Sequence, residues 1–301
     1  MSLKELFGAM KNEGYILKRL DQYLLKQIEL DDDRRWDINS PSMASQCSRA
    51  IYYSRKGYSR DGDAVSPRLQ RIFDNGTHVH IRLQEYLLGE GILLMDEVPV
   101  YNRHYQVQGH ADGLLALNVN KGEVRELGIL EIKSINSNAF SSLIDAKDEH
   151  KIQAQIYMTC LEEERQRIQK KCKTKAELTK YIKSKEFYNY YAPMYAHLKS
   201  GSKFTREEKI HFKIVQHRQI CRMLWSVPRP ISKMVFLYED KNSQELKEFI
   251  VRWDDDRVKE IQDKFEYVNS CMKKKKLPKR EGTSKSCTTC RWCNFKLECW
   301  M

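Results

Sequence analysis

The sequence predicts an α/β fold in which a central mixed sheet is flanked by helices. Three apolar runs, at 92–102, 105–119 and 126–134, are typical of strands, and the turn residues between the last two predict an antiparallel meander. The run at 148–171 then shows helical spacing and predicts a long helix. Two more strand-like runs, MVFLYED and LKEFIVRW, are joined by the polar KNSQE and predict a hairpin.

The rest of the chain is predicted to be mainly helical. Residues 1–35 predict one or two helices, and further helices are predicted at 47–58, 70–89 and 255–272. Residues 165–230 are lysine-rich and lack strand patterns, so they predict a helical insertion that ends at the Pro228–Pro230 turn. We therefore expect one domain over residues 1–301, made of an N-terminal helical region (1–69), a core (70–160), a helical insertion (161–230) and a C-terminal hairpin, helix and cysteine-rich end (231–301).

The charge balance favours a polyanionic partner. The 53 Lys and Arg outnumber the 41 Asp and Glu, which gives a net charge of +12 and a pI of about 9.1. Such an excess is typical of proteins that bind nucleic acid or an acidic membrane surface. No run is long and apolar enough for a membrane span, and MSLKELFGAMKNEGY lacks the features of a signal peptide. We expect a cytoplasmic protein without a membrane partner.

The nine cysteines are unevenly distributed. Disulfides are not expected in the cytosol, and the four scattered cysteines are interpreted as small buried hydrophobic residues: Cys160, Cys172, Cys221 and Cys271. Four others crowd into the last fifteen residues: Cys287, Cys290, Cys293 and Cys299. Thiolates at such short spacing bind zinc or an iron–sulfur cluster. One overlapping CxxCxxC run suits an iron–sulfur cluster better than a zinc ribbon, which uses two separated CxxC pairs.

Two adjacent predicted strands carry acidic residues that could form a site. Asp112 lies on one, and Glu131 and Lys133 lie on the next, where residues two apart point to the same face. These three residues alone could equally form an ion pair that only stabilises the fold. Polar residues on neighbouring predicted helices add to the pattern: His78 and His80 on the helix before the strands, and His150, Gln153 and Tyr157 on one face of the helix after them.

The order of these residues resembles the RecB-type nuclease domain of the PD-(D/E)XK superfamily. The matching motifs are Gly76-x-x-x-His80, Gly-His-Ala-Asp112, Glu131-Ile-Lys133 and Gln153-x-x-x-Tyr157. Cys47 with Arg49 and the terminal Cys290-x-x-Cys293 and Cys299 are similar to the iron–sulfur branch of that group, which includes the CRISPR-associated exonucleases of the "Cas-four" type, the AddB nuclease domain and phage exonucleases. The resemblance covers 40–160 and 233–301, with Ala111 and Ser48 standing where relatives have proline.

This resemblance implies a restriction-endonuclease-like core and a metal-dependent DNA nuclease, specifically an exonuclease acting on single-stranded ends. The implied roles are recombination, phage DNA processing or CRISPR adaptation, in a prokaryotic cell or phage-infected host and with the protein partners of such complexes. The implied ligands of Mg²⁺ or Mn²⁺ are His80, Asp112, Glu131 and the backbone carbonyl of Ile132. Oxygen ligands suit these hard cations, and a histidine shifts the preference towards Mn²⁺.

The resemblance also implies the remaining roles. Lys133 would orient or deprotonate the attacking water, or neutralise developing charge. Gln153 and Tyr157 would hold Lys133 or the DNA phosphate in place. A 4Fe-4S cluster would join the N- and C-terminal regions of the chain, leaving Cys287 spare, with four ligands: Cys47, Cys290, Cys293 and Cys299.

The lysines beside the cysteines are a candidate track for DNA phosphates. This track comprises Lys273, Lys274, Lys275, Lys276 and Arg280. A solvated linker is the alternative for this run, and the aromatic run FYNYYAPMYAHL is expected to be core. Two other functions stay open from sequence: a catalytically weak iron–sulfur DNA-binding subunit of a larger complex, and an endonuclease.

Overall fold

The computed structural model describes residues 15–30, 37–58, 66–201 and 203–301. Of the helices predicted over residues 1–35, helix α1 covers Tyr15–Leu30, while 1–14 and 31–35 lie outside the described residues. No helix among the described residues is long and apolar enough to cross a membrane.

The described elements come in groups along the chain: helices, three strands, the helices of the insertion, two strands and the C-terminal helices. The strands are β1 (Leu93–Asn102), β2 (Val107–Asn120), β3 (Glu123–Ile135), β4 (Lys233–Asp240) and β5 (Leu246–Arg252). The remaining helices are α2 (Ser48–Arg55), α3 (Pro67–Gly89), α4 (Ser137–Ser141), α5 (Asp148–Lys171), α6 (Lys175–Ile182), α7 (Lys185–Tyr191), α8 (Arg206–Ser226), α9 (Asp255–Lys274), α10 (Thr288–Arg291) and α11 (Lys296–Trp300), with short 3-10 turns at Pro41–Met43 and Ala192–Tyr195.

The five strands form one mixed sheet in the order β1-β2-β3-β4-β5. The pairs β1–β2, β2–β3 and β4–β5 are antiparallel, and β3–β4 is parallel. A parallel pair needs a long crossover connection. Here the crossover contains helices α4 to α8, so the helical insertion lies within the connection from β3 to β4. The α/β class and the mixed sheet flanked by helices are confirmed, and the segment between β3 and β4 is helical, as predicted.

Local signals in the sequence explain where the main helices begin. The Ser66 side chain accepts a hydrogen bond from the backbone N–H of Leu69, and Pro67 occupies the first turn of α3. This cap starts α3 three residues before the predicted beginning at 70. Helix α8 starts with a capping box between Thr205 and Glu208. Helix α5 has Asp148 and Glu149 in its first turn, which suits the helix dipole, and its bounds match the predicted 148–171.

Helices cover both faces of the sheet. On one face, Leu83 of α3 packs with Leu115, Leu130 and Ile132 from the central strands. On the other, a larger core joins the strands to the crossover helices and α9, and it includes Ile129, Ile156, Ile214 and Phe265. Strand β3 is consequently buried along most of its length, as expected for a central strand with both faces covered.

Candidate active site and cysteine cluster

The candidate active site lies where strands β2 and β3 separate. Their pairing runs from Asn120–Glu123 to Gly113–Leu130, where the described ladder stops. One residue further along β2, the Asp112 carboxylate takes the place of a backbone acceptor: its Oδ2 accepts the N–H of Ile132 at 2.6 Å. The separation of the strands therefore lets the Asp112 carboxylate of β2 reach the backbone of Ile132 on β3. Polar side chains of both strands lie close together at this point.

Helix α3 supplies a histidine to this place. Nδ1 of His80 lies 3.2 Å from Oδ1 of Asp112, and the Gln84 side chain donates to the backbone carbonyl of Asp112 at 2.7 Å. Burial opposes a charge on the imidazole, but the hydrogen bond to Asp112 and the nearby carboxylates outweigh it and raise the pKa of His80. His78 is exposed and lines a separate depression with Arg82 and Glu239. The structure therefore brings His80 to Asp112 and leaves His78 away from it.

Glu131 is the most enclosed carboxylate of the group, with 5% of its surface exposed. Its Oε1 accepts hydrogen bonds from Lys133 Nζ at 2.6 Å and from Gln153 Nε2 at 3.1 Å, whereas its Oε2 is buried without a hydrogen-bond partner. Burial raises the pKa of Glu131 to about 7. The positive charge of Lys133 lowers this pKa, and the negative charge of Asp112 raises it. A buried carboxyl with one unpartnered oxygen is costly to the fold and calls for a functional explanation.

Helix α5 closes the site from the other side. Gln153 donates to Glu131 and lies 3.3 Å from the Tyr157 hydroxyl, which in turn donates to the backbone carbonyl of His110 at 2.6 Å. One turn earlier, His150 Nδ1 lies 2.6 Å from the hydroxyl of Tyr238 on β4. The helical face predicted from sequence is therefore turned towards the sheet, where it fixes the orientation of Glu131.

The donor set fits a hard divalent cation. Among the described residues, no three His, Cys, Asp or Glu side chains are already arranged to hold a metal ion. Three of the four candidate oxygens already have protein partners, since Asp112 Oδ2 binds Ile132, Glu131 Oε1 binds Lys133 and Asp112 Oδ1 lies 3.2 Å from His80 Nδ1. The unpartnered Oε2 of Glu131 and the Oδ1 of Asp112 are the oxygens that a cation would take, with His80 beside them.

The raised pKa of Glu131 predicts a pH-dependent effect of Glu131→Gln on stability. The folded protein keeps this proton up to about pH 7, but the unfolded chain loses it near 4.5, so the contribution of Glu131 to stability falls as pH rises through this window. Gln mimics the protonated carboxyl. We expect the stability of the variant relative to wild type to improve by roughly 2–3 kcal/mol between about pH 5 and pH 8 in EDTA.

Chemical denaturation at the two pH values, with EDTA present throughout, measures this difference. The exposed Glu123→Gln on the same strand is the control, and its relative stability should not depend on pH in this way. A relative stability of Glu131→Gln that declines towards pH 8 would contradict the assignment of a raised pKa.

Four cysteines from the two ends of the chain line one enclosed cavity: Cys47, Cys290, Cys293 and Cys299. Cys47 is the N-cap residue of α2, and the other three lie in the terminal segment around α10 and α11. Cys287 does not line this cavity, although its thiol lies beside Cys290. The four cysteines named by the sequence motifs therefore line one cavity, and Cys287 lies at its edge, in contact with Cys290.

Polar contacts hold the two ends of the chain together around this cavity. Glu281 accepts the backbone N–H of Ser48 at 2.7 Å, at the start of α2. Arg49 donates to the carbonyl of Pro278 at 2.7 Å, and its Nη1 lies 3.6 Å from the Cys299 sulfur. The Arg280 guanidinium donates to the carbonyl of Cys299 and lies 4.1 Å from the Trp300 ring. Two arginines therefore stand next to a group of sulfurs that would be negatively charged as thiolates.

The cysteine cavity has features that fit a thiolate-bound group. A Cβ on Gly282 would lie 2.2 Å from the Cys290 sulfur, so only glycine allows the backbone this close to the sulfurs. The buried indole N–H of Trp300 faces the Cys290 thiol without a hydrogen bond of good geometry. Burial raises the pKa of Cys47 to about 11, so its thiol stays protonated unless a metal displaces the proton.

The other cysteines and the aromatic run have packing roles. The four scattered cysteines are buried, as expected: Cys160, Cys172, Cys221 and Cys271. In the aromatic run of the insertion, Phe187, Tyr191 and Tyr195 are almost fully buried, which confirms that this run is mainly core.

The candidate phosphate track lies at the end of α9. Lys273 and Lys274 form its last turn, Lys275 follows in the left-handed conformation, and Lys276 comes next; all four are exposed. Arg280 is bound to Cys299 and Trp300, as described above, so its side chain is directed to the cysteine cluster.

The structure adds residues to the site that the sequence did not single out. Glu97 on β1 stands level with Asp112, since its neighbours Asp96 and Val98 pair with Gly113 and Ala111. Burial and the Asp112 charge raise the pKa of Glu97. Gln84 donates to the carbonyl of Asp112, and the Tyr238 hydroxyl contacts His150. Lys213 of the insertion contacts His110. Their only sequence signal was a polar residue within a strand or helix, which is too common to mark a site.

The comparisons with known proteins give little for this chain. No protein-family model and no curated protein matches it. Among solved structures, the chain is similar to the crystal structure of SSO0001, with 14% sequence identity and a TM-score of 0.44 over 95% of this chain and 96% of that one. We therefore infer function from the side chains of the site itself.

Proposed function

We propose that this protein is a metal-dependent DNA nuclease of the PD-(D/E)XK superfamily, with a RecB-type core and an iron–sulfur cluster near its C-terminus. The observation that carries the proposal is the arrangement of Glu131, which is buried, bonded to Lys133 and left with one unpartnered oxygen beside Asp112. A stabilising ion pair would be expected to satisfy both oxygens of a buried carboxylate. The unpartnered oxygen supports a ligand role instead.

The residues divide the work of phosphodiester hydrolysis. Bound Mg²⁺ or Mn²⁺ would supply a water that is nucleophilic at neutral pH and would neutralise charge on the phosphate. Asp112, Glu131 and His80 would hold the cation, together with the backbone carbonyl of Ile132, whose N–H is fixed by Asp112. Lys133 carries an ammonium 2.6 Å from Glu131, where it can orient the attacking water or stabilise the transition state. Gln153, supported by Tyr157, keeps Glu131 in position.

The cysteine cavity would hold a 4Fe-4S cluster. Its ligands would be the cysteines that line the cavity: Cys47, Cys290, Cys293 and Cys299. Such a cluster would link α2 to the terminal segment and reinforce the contacts of Arg49 and Glu281. Its role would be structural, holding the two ends of the chain together beside the nuclease core.

The proposed substrate is DNA with free single-stranded ends. The net charge of +12 supports a polyanionic substrate, and the exposed lysines 273–276 are the proposed backbone contacts outside the active site, whereas Arg280 is held at the cysteine cluster. An exonuclease of this kind would act in recombination, phage DNA processing or CRISPR adaptation, with the partner proteins of those complexes and in the cytoplasm of a prokaryotic cell or infected host.

Anaerobically purified protein should be incubated with end-labelled linear and with circular single-stranded DNA in Mn²⁺, Mg²⁺ or EDTA. We expect degradation of the linear DNA with either metal, no cleavage in EDTA and intact circles. Nicked circles would indicate an endonuclease. Tight DNA binding without any cleavage would reject catalysis and favour an iron–sulfur DNA-binding subunit.

A further inference from the structure

One lysine of the helical insertion reaches the sheet beside the candidate active site. Lys213 lies on α8, which packs against β1, and its Nζ is 3.2 Å from Nε2 of His110. His110 precedes Asp112 by two residues on β2, and Glu97, which stands level with Asp112 on β1, is the carboxylate that attracts Lys213. The insertion thus places an ammonium group against the segment of β2 that carries Asp112.

The charge of Lys213 has no close counterion in the described part of the chain. The Nζ contact is an imidazole, which carries no negative charge, and no carboxylate of a described residue forms a salt bridge with it. Glu97 attracts it from further away, while burial lowers the pKa of Lys213. The groups on the other side of Lys213 do not help, because His217 is buried, bonded to the Tyr195 hydroxyl at 2.8 Å and stacked on Tyr191.

A half-buried ammonium without a close anion costs the free protein desolvation energy, which the contact with His110 and the more distant Glu97 offset only in part. A methionine or leucine at 213 would fill the same space without that cost. The lysine therefore makes sense if an anion reaches this position when the protein works. Beside a phosphodiesterase site, the anion that arrives with every substrate is a backbone phosphate of DNA.

We propose that Lys213, with His110 as its support, forms a phosphate-binding subsite that holds a backbone phosphate of the DNA strand next to the phosphate being cleaved. This proposal rests on the nuclease function proposed above. It also gives the insertion a function, which is to contribute a cation to the DNA-binding surface. The ammonium acts on the DNA backbone, so its contribution is independent of base sequence.

The test compares Lys213→Met, which keeps the side-chain stem and removes the charge, with Lys213→Arg, which keeps the charge. Arg222→Met is the matched control, because Arg222 is exposed on the same helix about 180° around from Lys213. Binding of a labelled single-stranded oligonucleotide in EDTA is measured over a range of salt concentrations, and kcat/KM is measured with Mn²⁺. Thermal melting without DNA is followed in phosphate and in chloride of equal ionic strength.

We expect Lys213→Met to weaken DNA binding about tenfold, to lower kcat/KM about tenfold and to reduce the salt slope of log K by about 0.7. Lys213→Arg should stay within about threefold of wild type in both measurements. Arg222→Met should behave as wild type. Without DNA, Lys213→Met should melt no lower than wild type, and phosphate should stabilise only the proteins with a cation at 213.

Two results would overturn the subsite. The first is that Lys213→Met binds DNA with the affinity and salt slope of wild type. The second is that Lys213→Met melts lower than wild type and responds to phosphate as wild type does, which would make Lys213 a structural residue. If wild type neither binds nor cleaves DNA, the nuclease proposal fails, and the phosphate arm still decides whether Lys213 binds an anion.

Discussion

Replacement of Glu131 by alanine or Lys133 by alanine is expected to lower the rate of DNA cleavage by at least about a thousandfold, which corresponds to roughly 4 kcal/mol of lost transition-state stabilisation. Glu131 has the unpartnered oxygen that we assign to the metal, and Lys133 contacts the other oxygen of the same carboxylate. Asp112→Ala should have an equal effect, because it removes both the ligand and the hydrogen bond that fixes Ile132.

The variants should differ in metal binding, and this separates their roles. Thermal melting with Mn²⁺ should show metal stabilisation in Lys133→Ala but not in Asp112→Ala or Glu131→Ala. All three should still bind DNA in EDTA, since the substrate is held mainly by its phosphates. Glu123→Ala, on the exposed start of the same strand, is the control and should cleave as wild type. A Lys133→Ala protein that cuts DNA at the wild-type rate would show that the active site is assigned wrongly.

Removal of the Cys47 thiol should abolish the iron–sulfur cluster, whereas removal of the Cys287 thiol should leave it in place. Cys47 lines the cavity with Cys290, Cys293 and Cys299, and Cys287 does not. Chain entropy alone would favour a local site made of the four terminal cysteines, because a short loop closes more easily than one of about 240 residues. The penalty for the long loop grows only logarithmically, and the contacts of Glu281 with α2 already hold the two ends together.

Iron content and visible absorbance of anaerobically purified protein measure the result. Wild type and Cys287→Ala should be brown, and Cys47→Ala should be colourless. By analogy with a disulfide across the same loop, loss of this link should cost roughly 5 kcal/mol of stability, so Cys47→Ala should also unfold at lower denaturant concentration. A colourless wild-type protein with one equivalent of zinc, unaffected by Cys47→Ala, would reject the cluster and leave the nuclease proposal standing.

Much of the fold follows from local patterns in the sequence. Alternating and continuous apolar runs located all five strands, and helical spacing located α5 to the residue, because side-chain burial has the same period as the backbone element that carries it. Missed boundaries were local too: α3 starts earlier than predicted because Ser66 and Pro67 form its cap. The motif order also named the residues that the structure later brings together at Asp112 and Glu131.

Tertiary structure alone decided the contacts between distant segments. The sequence placed Asp112 on one strand and Ile132 on the next, but only the separation of β2 and β3 gives that carboxylate a backbone N–H to accept. The burial that raises the pKa of Glu131 depends on the packing of α5 over the sheet. Lys213 is one of many lysines in the insertion, and nothing near it in sequence distinguishes it.

Sequence patterns report only on residues that are close together along the chain, so they do not predict contacts between distant segments. The repeat of apolar residues reports which face of an element is buried, and a cap reports where a helix begins, but neither specifies what the buried face will contact. The meeting of Cys47 with Cys290, or of Lys213 with His110, results from the crossover between β3 and β4 and from the packing of α2 on α9. Local patterns were enough to place the elements and to indicate the chemical types of the site residues, whereas the packing of the sheet and helices determined which of those residues share a site.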